Sequence, residues 1–337
     1  MLTVLDHVPA GLLERPAPRL HEVLPGPTLI HLPGRRPEPL FVSVLLHGNE
    51  DVGWEAARGL LAARGGRELP RALSLFIGNV AAARHRKRHL ADQPDYNRIW
   101  KGGGRLPEHA MVEQVLDEMR RRRVFAAIDV HNNTGRNPHY ACINRLEPAF
   151  EHLALLFSRT VVYFRQPDTV LSLAFARLCP AITIECGRPG EARGVAHALE
   201  CLEAALHLSA LPRHPVAAHD IDLYHTVAVL KVPRHVRIGF GPGGGDLRFI
   251  DELDRLNFTE LAPGALLGFT AAGGEPGLCV FDEDGRDVTA RYLDFDGGEI
   301  RTRCRVTPSM FTRNPEIIHQ DCLGYFMERL PPTAAAA

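Results

Sequence analysis

The chain lacks long hydrophobic runs, a charge bias and any close pairing of cysteines. No stretch approaches the roughly 20 apolar residues that a membrane-spanning helix requires, so a bilayer is not an expected partner. The opening "MLTVLDHVPAGLLERPAPRL" has no basic start, continuous apolar centre or small-residue cleavage site, so no secretory signal is read there. Seven cysteines are scattered without a CxxC pair, and an odd count argues against a closed disulfide set. Cys142, Cys179, Cys201 and Cys279 sit in apolar or helical surroundings and read as small buried hydrophobes. A reducing cytoplasm is therefore the expected location. The formal net charge of −1 gives no reason to expect nucleic acid as a partner. There is no GxSxG, so a serine hydrolase has no support. No internal repeat is evident.

What is present is a soluble-globular composition, 45% hydrophobic and 23% charged, over 337 residues. That length allows one large domain or two. Through the first two thirds, short runs rich in Val, Ile, Leu and Phe alternate with amphipathic stretches. Strands are expected at Thr28 to His31, Phe41 to Leu46, Leu73 to Ile77, Phe125 to Val130, Val161 to Phe164 and Ala181 to Ile184. Helices are expected in "DVGWEAARGLLAARGG", in "PEHAMVEQVLDEMRRRR", whose closing arginines suit the helix dipole, and in "GVAHALECLEAALHLSAL", stopped by Pro212. The alternation predicts an α/β fold, a mixed, largely parallel sheet flanked by helices. From about Pro212 the pattern changes to short strands punctuated by Gly, Pro and Asp-Gly turns. The expected division is an α/β domain over 1–211, a β-rich domain over 212–330, and a flexible low-complexity tail over 331–337.

In a sheet of this kind, ligands collect beyond the carboxyl ends of the strands. Three expected strand ends carry residues that are odd for a plain loop: His47-Gly48-Asn49-Glu50, Asp129-Val130-His131, and Glu185 after "AITI". A catalytic zinc site takes three protein ligands from His, Asp or Glu and leaves a fourth position open. His47, Glu50 and His131 supply two imidazoles and a carboxylate, two of them from one tight loop. Asp129 is placed to orient a histidine or to stiffen the strand end. Glu185 fits a carboxylate that moves a proton near a metal, and equally fits an ion pair with one of the many arginines. "RHRKRHLADQPDYNRIW" reads either as a solvated basic face or, through Arg88, Asn97 and Arg98, as a grip on a carboxylate and a scissile carbonyl.

Together these segments resemble the succinylglutamate desuccinylase / aspartoacylase family, a branch of the zinc carboxypeptidase-like (M14) superfamily. The resemblance rests on "HGNE" at 47–50, "GNVAAA…RKRHLADQPDYNRIW" at 78–100, "DVHNNTG" at 129–135 and "TIECG" at 183–187, with "NFTELAPGALLGF" similar to that family's C-terminal β module. It implies a zinc-carboxypeptidase-like fold and one Zn²⁺ per chain held by His47, Glu50 and His131. Glu185 would then activate water, Arg88 would polarise the scissile carbonyl, and Asn97 with Arg98 would hold a substrate carboxylate. Arg84 and Arg86 compete with Arg88 for that position. The family's Asp-Leu-Asn-Arg reads Asp95-Tyr96-Asn97-Arg98 here, and the wording after His131 also departs from it. The implied activity is cleavage of the amide bond of a small N-acyl amino acid. The alternatives are a metallocarboxypeptidase acting on short peptides and a non-catalytic metal-binding relative. The expected partner is a small carboxylate-bearing molecule, and a homo-oligomer is left open.

Overall fold

The computed structural model of the protein describes residues 1–271 and 277–331. All but the first residue of the expected tail, from 332 onward, lies outside the described residues. The described chain divides into two compact units, one built from 1–132, 139–222 and residue 331, the other from 133–138 and 223–330.

The first unit contains strands β1 (Thr3–Leu5), β2 (Thr28–Leu32), β3 (Gly34–Val44), β4 (Leu69–Ile77), β5 (Ala126–His131), β6 (Tyr140–Ile143), β7 (Thr160–Tyr163) and β8 (Ala181–Glu185). They line up in the order β1-β2-β4-β3-β5-β8-β6-β7. The central run β4-β3-β5-β8 is parallel throughout, while β2 meets β4 and β6 meets β8 antiparallel. Both faces of the central strands are buried, which is why they read as continuous apolar runs rather than alternating ones.

Helices α1 (Val52–Arg64), α2 (Val80–Arg84), α3 (Pro107–Arg121), α4 (Pro148–Leu155), α5 (Leu171–Phe175) and α6 (Ala192–His207) complete this unit. Helix α1 packs against α6, and its Gly53 approaches the Val44 and Val130 side chains on one face of the sheet. On the opposite face, Phe175 of α5 stacks on Phe41 with ring centroids 4.2 Å apart. Because side chains alternate along a strand, that second face also carries Ser43, Asp129 and His131. It is the face on which the site forms.

The expected fold class is the one observed; β1, α2, α4 and α5 were not expected, and three further differences bear on the site and the helix ends. The strand expected to reach Leu46 ends at Val44, because Leu45 turns into the left-handed region (φ 57°) and its carbonyl accepts the Asn79 N–H. Strand β6 was not expected, since its four residues follow the loop-like "NNTGRNPH". Helix α6 stops at His207, well before Pro212. Arg71, 2% exposed, takes the Leu208 and Ser209 carbonyls just past that helix end and covers the Phe125 ring at 3.6 Å.

The second unit is β-rich. Strand β9 (Asp222–Lys231) starts on the last residue of the first unit, and the unit adds β10 (Ile238–Phe240), β11 (Leu247–Phe249), β12 (Leu266–Thr270), β13 (Cys279–Asp282), β14 (Leu293–Asp294), β15 (Glu299–Thr302), β16 (Thr307–Ser309) and β17 (Gly324–Arg329). Strands β10-β11-β12-β15-β14 form one sheet, and β9 pairs with both β13 and β17. Short helices α7 (Thr289–Tyr292) and α8 (Pro315–Gln320) flank a core that includes Phe249, Leu267, Ile300, Phe311 and Phe326. The excursion 133–138 is fastened within this unit. Thr134 Oγ1 lies 2.8 Å from Thr312 Oγ1, and Met310 N–H donates to Asn137 Oδ1. A Cβ on Gly135 would sit 2.0 Å from the Phe311 carbonyl oxygen, so only glycine fits there.

Candidate metal centre

The site begins with the turn after β3. Gly48 donates its N–H to the Arg88 carbonyl, and a Cβ there would lie 2.2 Å from Ala83 N. This close approach of two backbones presses the "HGNE" loop onto α2 and aims His47 and Glu50 back at the strand ends. Asn132 locks the other side. Its N–H donates to Glu50 Oε2, its Oδ1 accepts the Val52 N–H at the start of α1, and its Nδ2 donates to the Gly187 carbonyl.

The sequence placed His47, Glu50 and His131 in one site, and the structure brings one ligand atom from each within 4.8 Å of the others. His47 Nδ1 lies 2.7 Å from Glu50 Oε1, and His131 Nδ1 lies 2.8 Å from Glu50 Oε2. All three residues are buried. Behind each imidazole stands a second carboxylate. His131 Nε2 is 2.8 Å from Asp129 Oδ2, and His47 Nε2 is 3.0 Å from Asp95 Oδ1. An outer carboxylate of this kind fixes the ring and leaves the opposite nitrogen free to bind a metal. Two buried Nδ1 atoms and a carboxylate, each imidazole braced from behind, are a donor set that suits a divalent ion such as Zn²⁺.

The electrostatics agree with that fit. Burial pushes the Glu50 carboxyl upward, but the two imidazoles outweigh it and hold the group far below the usual carboxylate range. Burial pushes His131 down, yet Asp129 and Glu50 overcome it and raise its pKa well above the ordinary value. Asp95 is likewise lowered against its burial, by His47 and Arg88. A cluster this acidic needs positive charge in its midst, as protons on the imidazoles or as a cation in their place.

The remaining site residues fall around this centre. Glu185 is buried at the end of β8 in direct register with His131, so the two side chains leave the sheet on the same face. Arg88 Nη1 lies 3.9 Å from Glu50 Oε1, and its Nε donates to Asp95 Oδ2. Arg84 and Arg86 are exposed. Asn97 is buried, and its Oδ1 accepts the Leu171 N–H at the start of α5. That bond fixes the amide so that Nδ2 is turned to His131 Nε2, 3.3 Å away. Arg98 is half-buried, with Nη1 donating to the Asn97 carbonyl. The segment is held by Trp100, whose ring meets Phe76 edge-on at 6.0 Å, whose backbone N–H donates to the Thr169 carbonyl and whose indole N–H donates to the Tyr96 carbonyl.

Two residues escaped the sequence reading. Asp95 was seen only as part of a run, although a carboxylate two residues before Asn97 was a signal. Asn132 was quoted only within "DVHNNTG" and given no role.

No protein-family model and no curated sequence matches the chain. Among solved structures, it is similar to succinylglutamate desuccinylase from Chromobacterium violaceum, at 19% identity over 88% of this chain and 86% of that one, with a TM-score of 0.53. It is also similar to murine aminoacylase 3, at 16% identity, 88% and 96% coverage and a TM-score of 0.55. A succinylglutamate desuccinylase/aspartoacylase from Rhodobacter sphaeroides aligns at 14% identity, 89% and 88% coverage and a TM-score of 0.54. The chain thus has the fold of the succinylglutamate desuccinylase and aspartoacylase structures.

Proposed function

We propose that the protein is a zinc-dependent hydrolase that cleaves the amide bond of a small N-acyl amino acid. The observation that carries this reading is the convergence of His47, Glu50 and His131 with Glu185 in register beside His131. The names of the similar structures, desuccinylases and an aminoacylase, point to the same substrate class. In this reading residues 1–211 form the catalytic domain and 212–330 the β-rich one.

A Zn²⁺ ion held by His47, Glu50 and His131 would supply Lewis acidity, polarising a carbonyl and acidifying water. The protein's own groups do the rest. Glu185 takes the proton of the attacking water and delivers it to the leaving nitrogen. Arg88, already oriented by Asp95, stabilises negative charge developing on the carbonyl oxygen. The Asn97 Nδ2 donors and the Arg98 guanidinium fix the substrate carboxylate, so that the amide meets the site in one orientation.

The test is a panel of N-acetyl amino acids, N-succinyl amino acids and dipeptides, each assayed with and without chelator. Chelator-sensitive release of an amino acid from an acylated substrate is expected. In Glu185→Gln, zinc should remain bound while turnover falls by about 100-fold or more. Activity that survives chelation, or full activity in that variant, would overturn the assignment. Release from dipeptides alone would make the protein a carboxypeptidase.

A further inference from the structure

The geometry points to Trp100 as a positioning residue: from a floor of aromatic rings it sets Asn97 and Arg98 in the one orientation that receives a substrate carboxylate. The inference rests on the carboxylate-binding reading of that pair and deepens it. Trp100 is fastened at both ends. Its indole N–H donates to the Tyr96 carbonyl at 2.7 Å, so the side chain folds back over the residues before it and closes 96–100 into a tight loop. Its backbone N–H donates to the Thr169 carbonyl at 2.9 Å. The ring, 2% exposed, lies 6.0 Å from both Phe76 and Phe175, and Phe175 in turn stacks on Phe41. Those three rings come from β4, α5 and β3, so the sheet and α5 set the place of the loop.

The consequence falls on one amide. Leu171 opens α5 between the two points that Trp100 meets, Thr169 and Phe175, and its N–H donates to Asn97 Oδ1 at 3.0 Å. A carboxamide has one accepting and one donating edge. With the accepting edge spent on Leu171, a flipped Asn97 would set donor against donor, so Nδ2 stays turned to the site. Arg98 follows the same frame, since its Nη1 donates to the Asn97 carbonyl. An arriving carboxylate therefore meets donors that are already ordered, and binding loses little to arranging them. The Lys101–Asp168 ion pair joins the same two segments from the solvent side, where water screens it, and does not set the amide.

Amide hydrogen exchange of the whole protein reads the floor directly, because the Leu171 N–H is the donor to Asn97. Trp100→Leu leaves no ring between Phe76 and Phe175, and exchange at Leu171 should speed by roughly 10-fold; in Lys101→Ala it should match wild type. Trp100→Phe returns a ring but lacks the bond to Tyr96. It should exchange about 3-fold faster than wild type, a measurement that stands by itself if Trp100→Leu fails to fold. The functional arm compares kcat/KM for the best-cleaved N-acetyl or N-succinyl amino acid with that for the amine bearing the same acyl group and no carboxylate. In Trp100→Leu the preference for the acid should fall by roughly 10- to 100-fold. Zinc affinity by chelator competition should hold, since the Gly48 turn and Asn132 anchor the ligands instead. Wild-type exchange at Leu171 in either Trp100 variant overturns the proposal. So does an undiminished preference for the acid, or an equal loss of zinc affinity, since general disruption would then be the cause. A wild-type protein that cleaves none of the acylated amino acids refutes the hydrolase reading itself, a separate result that leaves the exchange arm standing.

Discussion

Replacing Gly48 by alanine tests whether the metal loop is aimed by backbone contact. The new Cβ would lie 2.2 Å from Ala83 N, 2.3 Å from Ala82 C and 2.8 Å from Ala82 Cβ. The first two are backbone atoms of α2 or bonded to it, so no side-chain rotation relieves the clash. Ordinary contact begins near 3.4 Å, and the loop has to retreat by about 1 Å. His47 and Glu50 flank this residue, and metal–ligand distances hold to about 0.2 Å. A retreat of that size should weaken zinc by ~100-fold, equivalent to about 2.7 kcal/mol. Overpacking should also cost about 1–3 kcal/mol of stability in the metal-free protein. Zinc affinity by chelator competition and denaturant unfolding without zinc read the two effects separately. Gly26→Ala is the control, because nothing lies within 4 Å of a Cβ there. Wild-type zinc affinity in Gly48→Ala would refute the reasoning, since the loop would then tolerate displacement.

Zinc held at ~100 times its dissociation constant should raise the free energy of unfolding by about 2.7 kcal/mol, and chelator should reverse it; no shift would refute the ligand set. His31 is buried beside Ser74, and burial, then Arg122, lowers its pKa from 6.5 to about 4. The unfolded chain therefore binds more protons between these values. The stability from His31 is complete above pH 6.5 and is lost as pH falls toward 4, by roughly 2–3 kcal/mol. His31→Gln should flatten the unfolding free energy over that window, and an unchanged slope would refute the assignment. Arg71→Met removes the donors to the Glu38, Leu208 and Ser209 carbonyls and should cost about 2 kcal/mol in a denaturant titration. A loss below ~0.5 kcal/mol would show that water replaces the guanidinium there.

Much of the fold was legible because buried parallel strands announce themselves as apolar runs. The details that stayed hidden depend on contacts between distant residues. Leu45 ends β3 through its left-handed turn against Asn79, and Arg71 caps the region past α6 from a strand far upstream. Neither has a local signature. In the site, the His47–Glu50 pair could be read because one short loop delivers both groups. The share of the site carried by Asp95 could not, because its partners His47 and Arg88 meet it only after folding.

The excursion 133–138 has a consequence for how this protein is made and divided. The first unit is not a continuous stretch of chain: six residues inside it find their fastenings at Met310, Phe311 and Thr312. On the ribosome, those six residues emerge long before the partners that secure them. A gene fragment cut near residue 211 would encode strands β1 to β8 and lack Met310, Phe311 and Thr312, which fasten this segment just after His131. Recombination can therefore not pass the lobe that carries His47, Glu50 and His131 on as a simple cassette, and a stop codon late in the gene reaches back to a loop near its middle.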